Sequence, residues 1–234
     1  MKKEALTINV GANKTVRLLF GNGSKAREIV DLIKKGIQGP LNYFNNIERI
    51  SFGVELIYSR EEFDKIVGYE TERWVTAHSF GNRFIIFEPS EIEKHTSHSR
   101  NEFVPIVSHE TSHILLRKLN ADFCTWMNEG IAQNIADQRR GEKIDPTNIS
   151  YFLDECLFKN SNYKKFISRQ GYEISYKLIR FLMNEYSKET IIKLFEVKYG
   201  FVKSSEKNIC RILGARKSEL IAKFSMVLKN SANG

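Results

Sequence analysis

No stretch of the chain approaches the 18 consecutive apolar residues that a membrane span demands, so no membrane partner is expected. Prolines number four and glycines fourteen in 234 residues, too few for low-complexity linkers or a collagen repeat. Cysteines number three, at 124, 156 and 210, with no CxxC pair. That excludes a disulfide framework and a cysteine-based zinc site, and predicts buried, reduced thiols in a cytoplasmic protein. Met1-Lys2-Lys3 is followed by Glu4, Asn9, Asn13 and Lys14 before any apolar run forms, so no targeting segment is expected. What is present is an ordinary globular composition, 41% hydrophobic and 27% charged. A chain of this length buries about 70% of the surface its unfolded form exposes, enough for a sizeable core. The net charge of +8 is uneven. Residues 1–140 carry 19 basic against 18 acidic side chains, whereas residues 141–234 carry 17 against 10.

The first hundred residues have the period of strands. Leu6, Ile8 and Val10 alternate, Gly11-Ala12-Asn13 turns the chain, and Val16, Leu18 and Phe20 alternate again. Gly21-Asn22-Gly23 breaks the pattern. Ser24 is placed to cap a helix with Ala26, Ile29, Val30, Ile33 and Ile37 on one face, interrupted at Gly39-Pro40. Ile50–Tyr58 alternates as a strand, and Glu61–Val67 suits a short helix. Trp74–Phe80 and Arg83–Phe87 flank Gly81-Asn82 as a hairpin. From about residue 101 the apolar spacing becomes helical, near 102–119, 125–139, 147–159, 171–186, 188–199, 205–213 and 217–229. Pro105 suits only a first turn, and Gly200 and Gly214 suit helix C-caps. Strands first and helices afterwards predict an α+β domain. One domain over 1–234 is expected: a mostly antiparallel sheet in 1–100, the motif-bearing helices in 101–140, and a basic helical part in 141–234.

The chemistry concentrates at His109-Glu110-Thr111-Ser112-His113, an HExxH motif. On a helix, positions i and i+4 share a face, so both imidazoles can reach one Zn²⁺. Glu110 then lies beside the metal, where it can hold the metal-bound water. Sixteen residues after His113, Glu129 stands in Trp126-Met127-Asn128-Glu129-Gly130-Ile131-Ala132. Its apolar neighbours predict a buried helix, in which a carboxylate needs a partner. With Lys118–Cys124 as the turn, Glu129 completes a His₂Glu set that leaves a fourth zinc position open.

These motifs resemble those of the gluzincin metallopeptidases, most closely their small peptidase MA-like domains, which join HExxH to a following W-x-N-E-G-x-A helix. Tyr172-Glu173-Ile174-Ser175-Tyr176, continuing to Leu182, resembles a later helix of that family, and Ile212–Phe224 resembles its closing helices. The resemblance implies a zincin-like fold, one Zn²⁺ per chain and hydrolysis of peptide bonds in a peptide or protein substrate. It implies His109, His113 and Glu129 as ligands, Glu110 as base, and Tyr172 or Tyr176 as donor to the developing oxyanion. Asn82, Arg83, Phe84 and Ile85 are expected to bind substrate as the edge strand beside the site. Related sites often set a carboxylate one turn after the glutamate ligand. Here that position is Gln133, whose amide oxygen can accept a ligand histidine's N–H without adding charge.

Two other roles suit the same residues. One is a regulatory protease cleaving a single partner, as ImmA/IrrE-like proteins do, although no helix-turn-helix signature accompanies it. The other is a non-catalytic module with zinc retained for structure, against which the intact Glu110 argues. His95 and His98 fall in a polar loop without a further ligand at suitable spacing, and His78 falls on a strand. The basic residues of 141–234 are spread along amphipathic helices, as solvated faces are. They are the only feature suited to nucleic acid, and no aromatic-interleaved basic motif joins them.

Overall fold

The computed structural model describes residues 3–21, 25–119, 124–139, 141, 143–158, 162–197 and 202–233. The chain falls into two compact units, residues 1–115 and 116–234. Asn22-Gly23, the Ser24 cap, most of the Lys118–Cys124 turn and the Gly200 cap lie outside the described residues.

The first unit is built on a mixed five-stranded sheet in the order β1-β2-β3-β5-β4. The strands are β1 (Lys3–Gly11), β2 (Lys14–Gly21), β3 (Ile50–Ile57), β4 (Ala77–Phe80) and β5 (Arg83–Phe87). β1 and β2 form the expected hairpin, with Asn13 at φ 56°, a left-handed position that asparagine tolerates. Helix α1 (Ala26–Tyr43) carries the chain back, so β3 pairs with β2 in parallel, Val16 opposite Phe52 and Leu18 opposite Val54. Helix α2 (Arg60–Val67) and β4 precede β5, which pairs in parallel with β3 and antiparallel with β4. The expectation of a mostly antiparallel sheet is therefore corrected: two of the four ladders are parallel. A helix between two strands returns the chain to its starting end, which parallel pairing requires.

A second correction concerns the edge. Arg83–Phe87 is not the edge strand but lies between β3 and β4, and Phe84, Ile85, Ile86 and Phe87 have no exposed surface. An unbroken apolar run is the mark of a strand covered on both faces, whereas an edge strand alternates. The edge strands among the described residues are β1 and β4. The sheet core is the alternating set Val16, Leu18, Phe52, Val54 and Leu56 with the β5 run.

Helix α1 does not stop at Gly39-Pro40 as the sequence suggests. It continues to Tyr43, with Pro40 and Leu41 buried. Packing of that last turn offsets the single ladder bond that Pro40 cannot donate. The same helix comes very close to α4 (Phe103–Leu119), whose start includes Pro105 in its first turn. A Cβ added to Gly36 would stand 2.6 Å from Val107 Cγ1 and 3.0 Å from the Val104 carbonyl oxygen. Glycine at 36 thus sets the approach of the motif-bearing helix to α1.

The segment leading into β4 is held by Arg60. Its guanidinium donates to Thr71 Oγ1 at 2.7 Å, to the Val75 carbonyl at 3.1 Å and to the His95 carbonyl at 2.5 Å. It lies over the rings of Phe63 and Phe87, 5.4 and 4.8 Å from their centroids. Burial lowers its pKa, with Arg73 adding to the effect and Asp64 opposing it. Arg60→Ala removes three bonds and strands two carbonyls. We expect a loss of about 2–3 kcal/mol in urea unfolding, only partly recovered by lysine, which cannot fork between three acceptors.

The second unit is helical among its described residues. It includes α5 (Thr125–Ile135), α6 (Pro146–Glu155), α7 (Tyr163–Ser168), α8 (Gly171–Glu185), α9 (Lys188–Glu196), α10 (Val202–Leu213) and α11 (Lys217–Asn233). A four-residue turn of helix, α3 (Ile92–His95), belongs to the first unit. Trp126 on α5 anchors the second core. It is 1% exposed, donates its Nε1–H to the Leu157 carbonyl at 2.9 Å, and meets Phe152 and Phe224 edge-on at 6.2 Å each. Asp145 caps α6 ahead of Pro146, and Ser187 caps α9. Gly214 takes φ 61° after α10, as a C-cap glycine does. Cys124 and Cys156 are buried, and burial beside Glu206 raises the pKa of the half-buried Cys210 thiol. Lys193 lies exposed on α9, Lys207 and Arg211 on α10, and Lys223 and Lys229 on α11.

Candidate metal centre

Helix α4 sets His109 and His113 one turn apart, and α5 carries Glu129. One ligand atom from each of the three lies within 4.8 Å of the others. Among the described residues this is the one cluster of three or more such groups. The imidazoles meet through their Nε2 atoms, 2.9 Å apart, with ring planes at 83°. His113 and Glu129 are buried, and His109 is half-buried.

The donor set fits a metal ion. Two imidazole nitrogens and a carboxylate oxygen converge in a place with little water, and such a group demands a positive partner. Ligand atoms around a tetrahedral ion with bonds of ~2.0–2.1 Å stand about 3.3 Å apart, close to the imidazole spacing here. Two nitrogens and one carboxylate leave a coordination position over. The triad can therefore hold a metal ion.

Glu110 meets the sheet. Its Oε2 accepts a hydrogen bond from the Ser79 hydroxyl on edge strand β4. Ser79 had no signal in the sequence, because a lone serine in a short strand carries no pattern. His78, next to it on β4, is half-exposed and packs its ring against Phe80 at 4.6 Å.

Within the second unit, α5 and α8 come into backbone contact. A Cβ on Gly130 would stand 2.5 Å from both the Ser175 carbonyl oxygen and Ile179 Cγ1. Asn134 Nδ2 donates to the Gly130 carbonyl at 2.8 Å and to the Tyr176 carbonyl at 2.9 Å, tying the two helices together. Neither residue stands out in the sequence reading, yet a glycine inside an apolar helix is itself a signal of close approach. Gln133, one turn after Glu129, is fully buried.

The two tyrosines expected near the oxyanion are half-buried on α8. The Tyr172 hydroxyl shares a hydrogen bond with that of Tyr163, and its ring meets Phe166 edge-on at 5.6 Å. Tyr176 contributes its backbone carbonyl to Asn134. Of the residues expected to bind substrate, Asn82 lies in the β4–β5 turn. Arg83 is exposed, with its guanidinium 3.1 Å from Glu55 and over the Phe80 ring. Phe84 and Ile85 are core residues.

Among the described residues, His95 and His98 join no cluster of three or more metal-ligating groups. His95 stacks on Phe87 at 5.5 Å. His98 spans two acceptors, Glu102 Oε2 at 2.7 Å and the Trp74 carbonyl at 2.9 Å. Burial alone would raise the Glu102 pKa, but its bonds with His98 and the Ser99 N–H hold it below the usual carboxylate range.

No helix among the described residues is long and apolar enough to cross a membrane. No protein-family model matches the chain, and no curated protein matches it in sequence.

Proposed function

We propose that this chain is a zinc-dependent peptidase of gluzincin type, holding one Zn²⁺ through His109, His113 and Glu129. The observation that carries the reading is the convergence of those three side chains, with Glu110 the residue next to His109 on the same helix. A zinc ion bound there supplies a Lewis acid that polarises a carbonyl and brings the acidity of water near neutral pH. The remaining work falls to the chain. Glu110 accepts the proton of the attacking water and delivers it to the departing amine nitrogen. Gln133, buried one turn along α5, is suited to accept the outer ring N–H of a ligand histidine and fix its orientation. Tyr172 or Tyr176 is the source of a donor to the carbonyl oxygen as charge grows on it. The Tyr163 bond offers Tyr172 a fixed rotamer, and a phenol so held can reach a substrate only by exchanging that partner.

Metal analysis and a mixed-peptide digest test the reading together. One zinc per chain is expected, with cleavage that stops on chelation and returns when zinc is added back. A chain that binds zinc stoichiometrically and cleaves no peptide would falsify the peptidase reading. Such a chain would be a zinc-holding structural module.

A further inference from the structure

We infer that Ser79 is a positioning residue for Glu110, fixing the direction of its carboxylate from the edge strand. The inference rests on the peptidase reading above and deepens it.

Glutamate has three side-chain torsions, and holding them costs rotamer freedom in the absence of contacts that select one arrangement. Glu110 is only half-buried, so packing alone does not select it. The Ser79 hydroxyl donates to Oε2, and a hydroxyl bound to an ionised carboxylate is among the stronger hydrogen bonds. A bond to one oxygen orients the plane of the carboxylate.

Ser79 is itself rigidly placed. β4 pairs with β5 across a two-residue turn, Ser79 opposite Phe84 and Phe80 opposite Arg83. Phe84 is wholly buried in the sheet. The chain entering β4 is clamped by Arg60 through the Val75 carbonyl and by His98 through the Trp74 carbonyl. Gly36 sets α4 against α1 on the other side of the contact. Sheet and helix thus share a hydrogen bond at the residue whose direction the chemistry requires. Position 79 needs a hydroxyl on a strand, a demand that threonine also meets.

Four variants test this: Ser79→Ala, Ser79→Thr, Glu110→Ala and the pair Ser79→Ala with Glu110→Ala. In the zinc-loaded chain, Ser79→Ala is expected to lower kcat about 10- to 100-fold, the scale of a misdirected catalytic group, with KM within about twofold. Ser79→Thr is expected to restore most of kcat. A second readout needs neither metal nor turnover. Urea midpoints of the metal-free single and double variants are expected to be non-additive, because the second substitution removes a contact already lost. An active chain whose kcat is unchanged by Ser79→Ala overturns the positioning role and leaves the peptidase reading intact. Additive midpoints overturn the contact itself, whether or not the chain is active. A wild-type chain without turnover removes the catalytic role together with that reading.

Discussion

Glu110→Gln is expected to bind one zinc per chain as tightly as the unmodified protein, and to hydrolyse peptide on the order of 10³-fold more slowly. The amide keeps the size of the carboxylate and its ability to accept the Ser79 hydrogen bond. It cannot take up a proton at neutral pH, and general-base catalysis is worth about 10²–10⁴-fold. Zinc affinity should hold because Glu110 is not among the three converging donors. Kinetics at saturating peptide, set beside zinc content of the same preparation, measure both. Cleavage that persists in Glu110→Gln would remove Glu110 from the mechanism. Loss of zinc along with activity would instead make Glu110 part of the metal site.

The second large effect belongs to a residue with no chemistry. Gly130→Ala adds one carbon, and that carbon meets the Ser175 carbonyl oxygen and Ile179 Cγ1 at 2.5 Å. The oxygen is backbone and cannot swing aside, so α5 and α8 must separate. Overpacking of this kind costs about 3 kcal/mol. Separation also strains the two bonds from Asn134 that join the helices. Glu129 precedes Gly130 on α5, so its carboxylate moves with the helix. We expect a lower urea midpoint for Gly130→Ala and zinc affinity reduced at least about tenfold, although residue 130 bears no ligand. An unchanged midpoint with weakened zinc binding would show that the cost falls on Glu129 placement alone. An unchanged midpoint with unchanged zinc binding would mean that α5 and α8 do not meet as closely as described.

The legible part of the molecule was the part written in short-range pattern. His109 and His113 share a helix face because the helical period puts i and i+4 there, and α4 needs nothing distant to achieve it. Alternation in Ile50–Tyr58 and around the Gly11–Asn13 turn foretold β3 and the first hairpin for the same reason. The unbroken apolar run of β5 marks two covered faces, yet the strand was expected at an edge, and the structure places it inside the sheet. Glu129 was legible through its apolar neighbours, which announced a buried carboxylate in want of a partner.

By itself, then, the sequence determined the elements, the facing histidine pair on α4 and the burial of a third donor. Only the tertiary structure decided that β2, β3 and β5 run parallel, that β4 is an edge, and that a serine on it reaches Glu110. It also decided that Gly36 and Gly130 sit at points of helix contact. The difference is physical. Helical and strand periods act over a few residues and leave their trace in composition. Strand order, by contrast, is set by which faces the whole chain can cover at once. A single hydrogen bond between residues 31 apart follows from that packing and leaves no local mark.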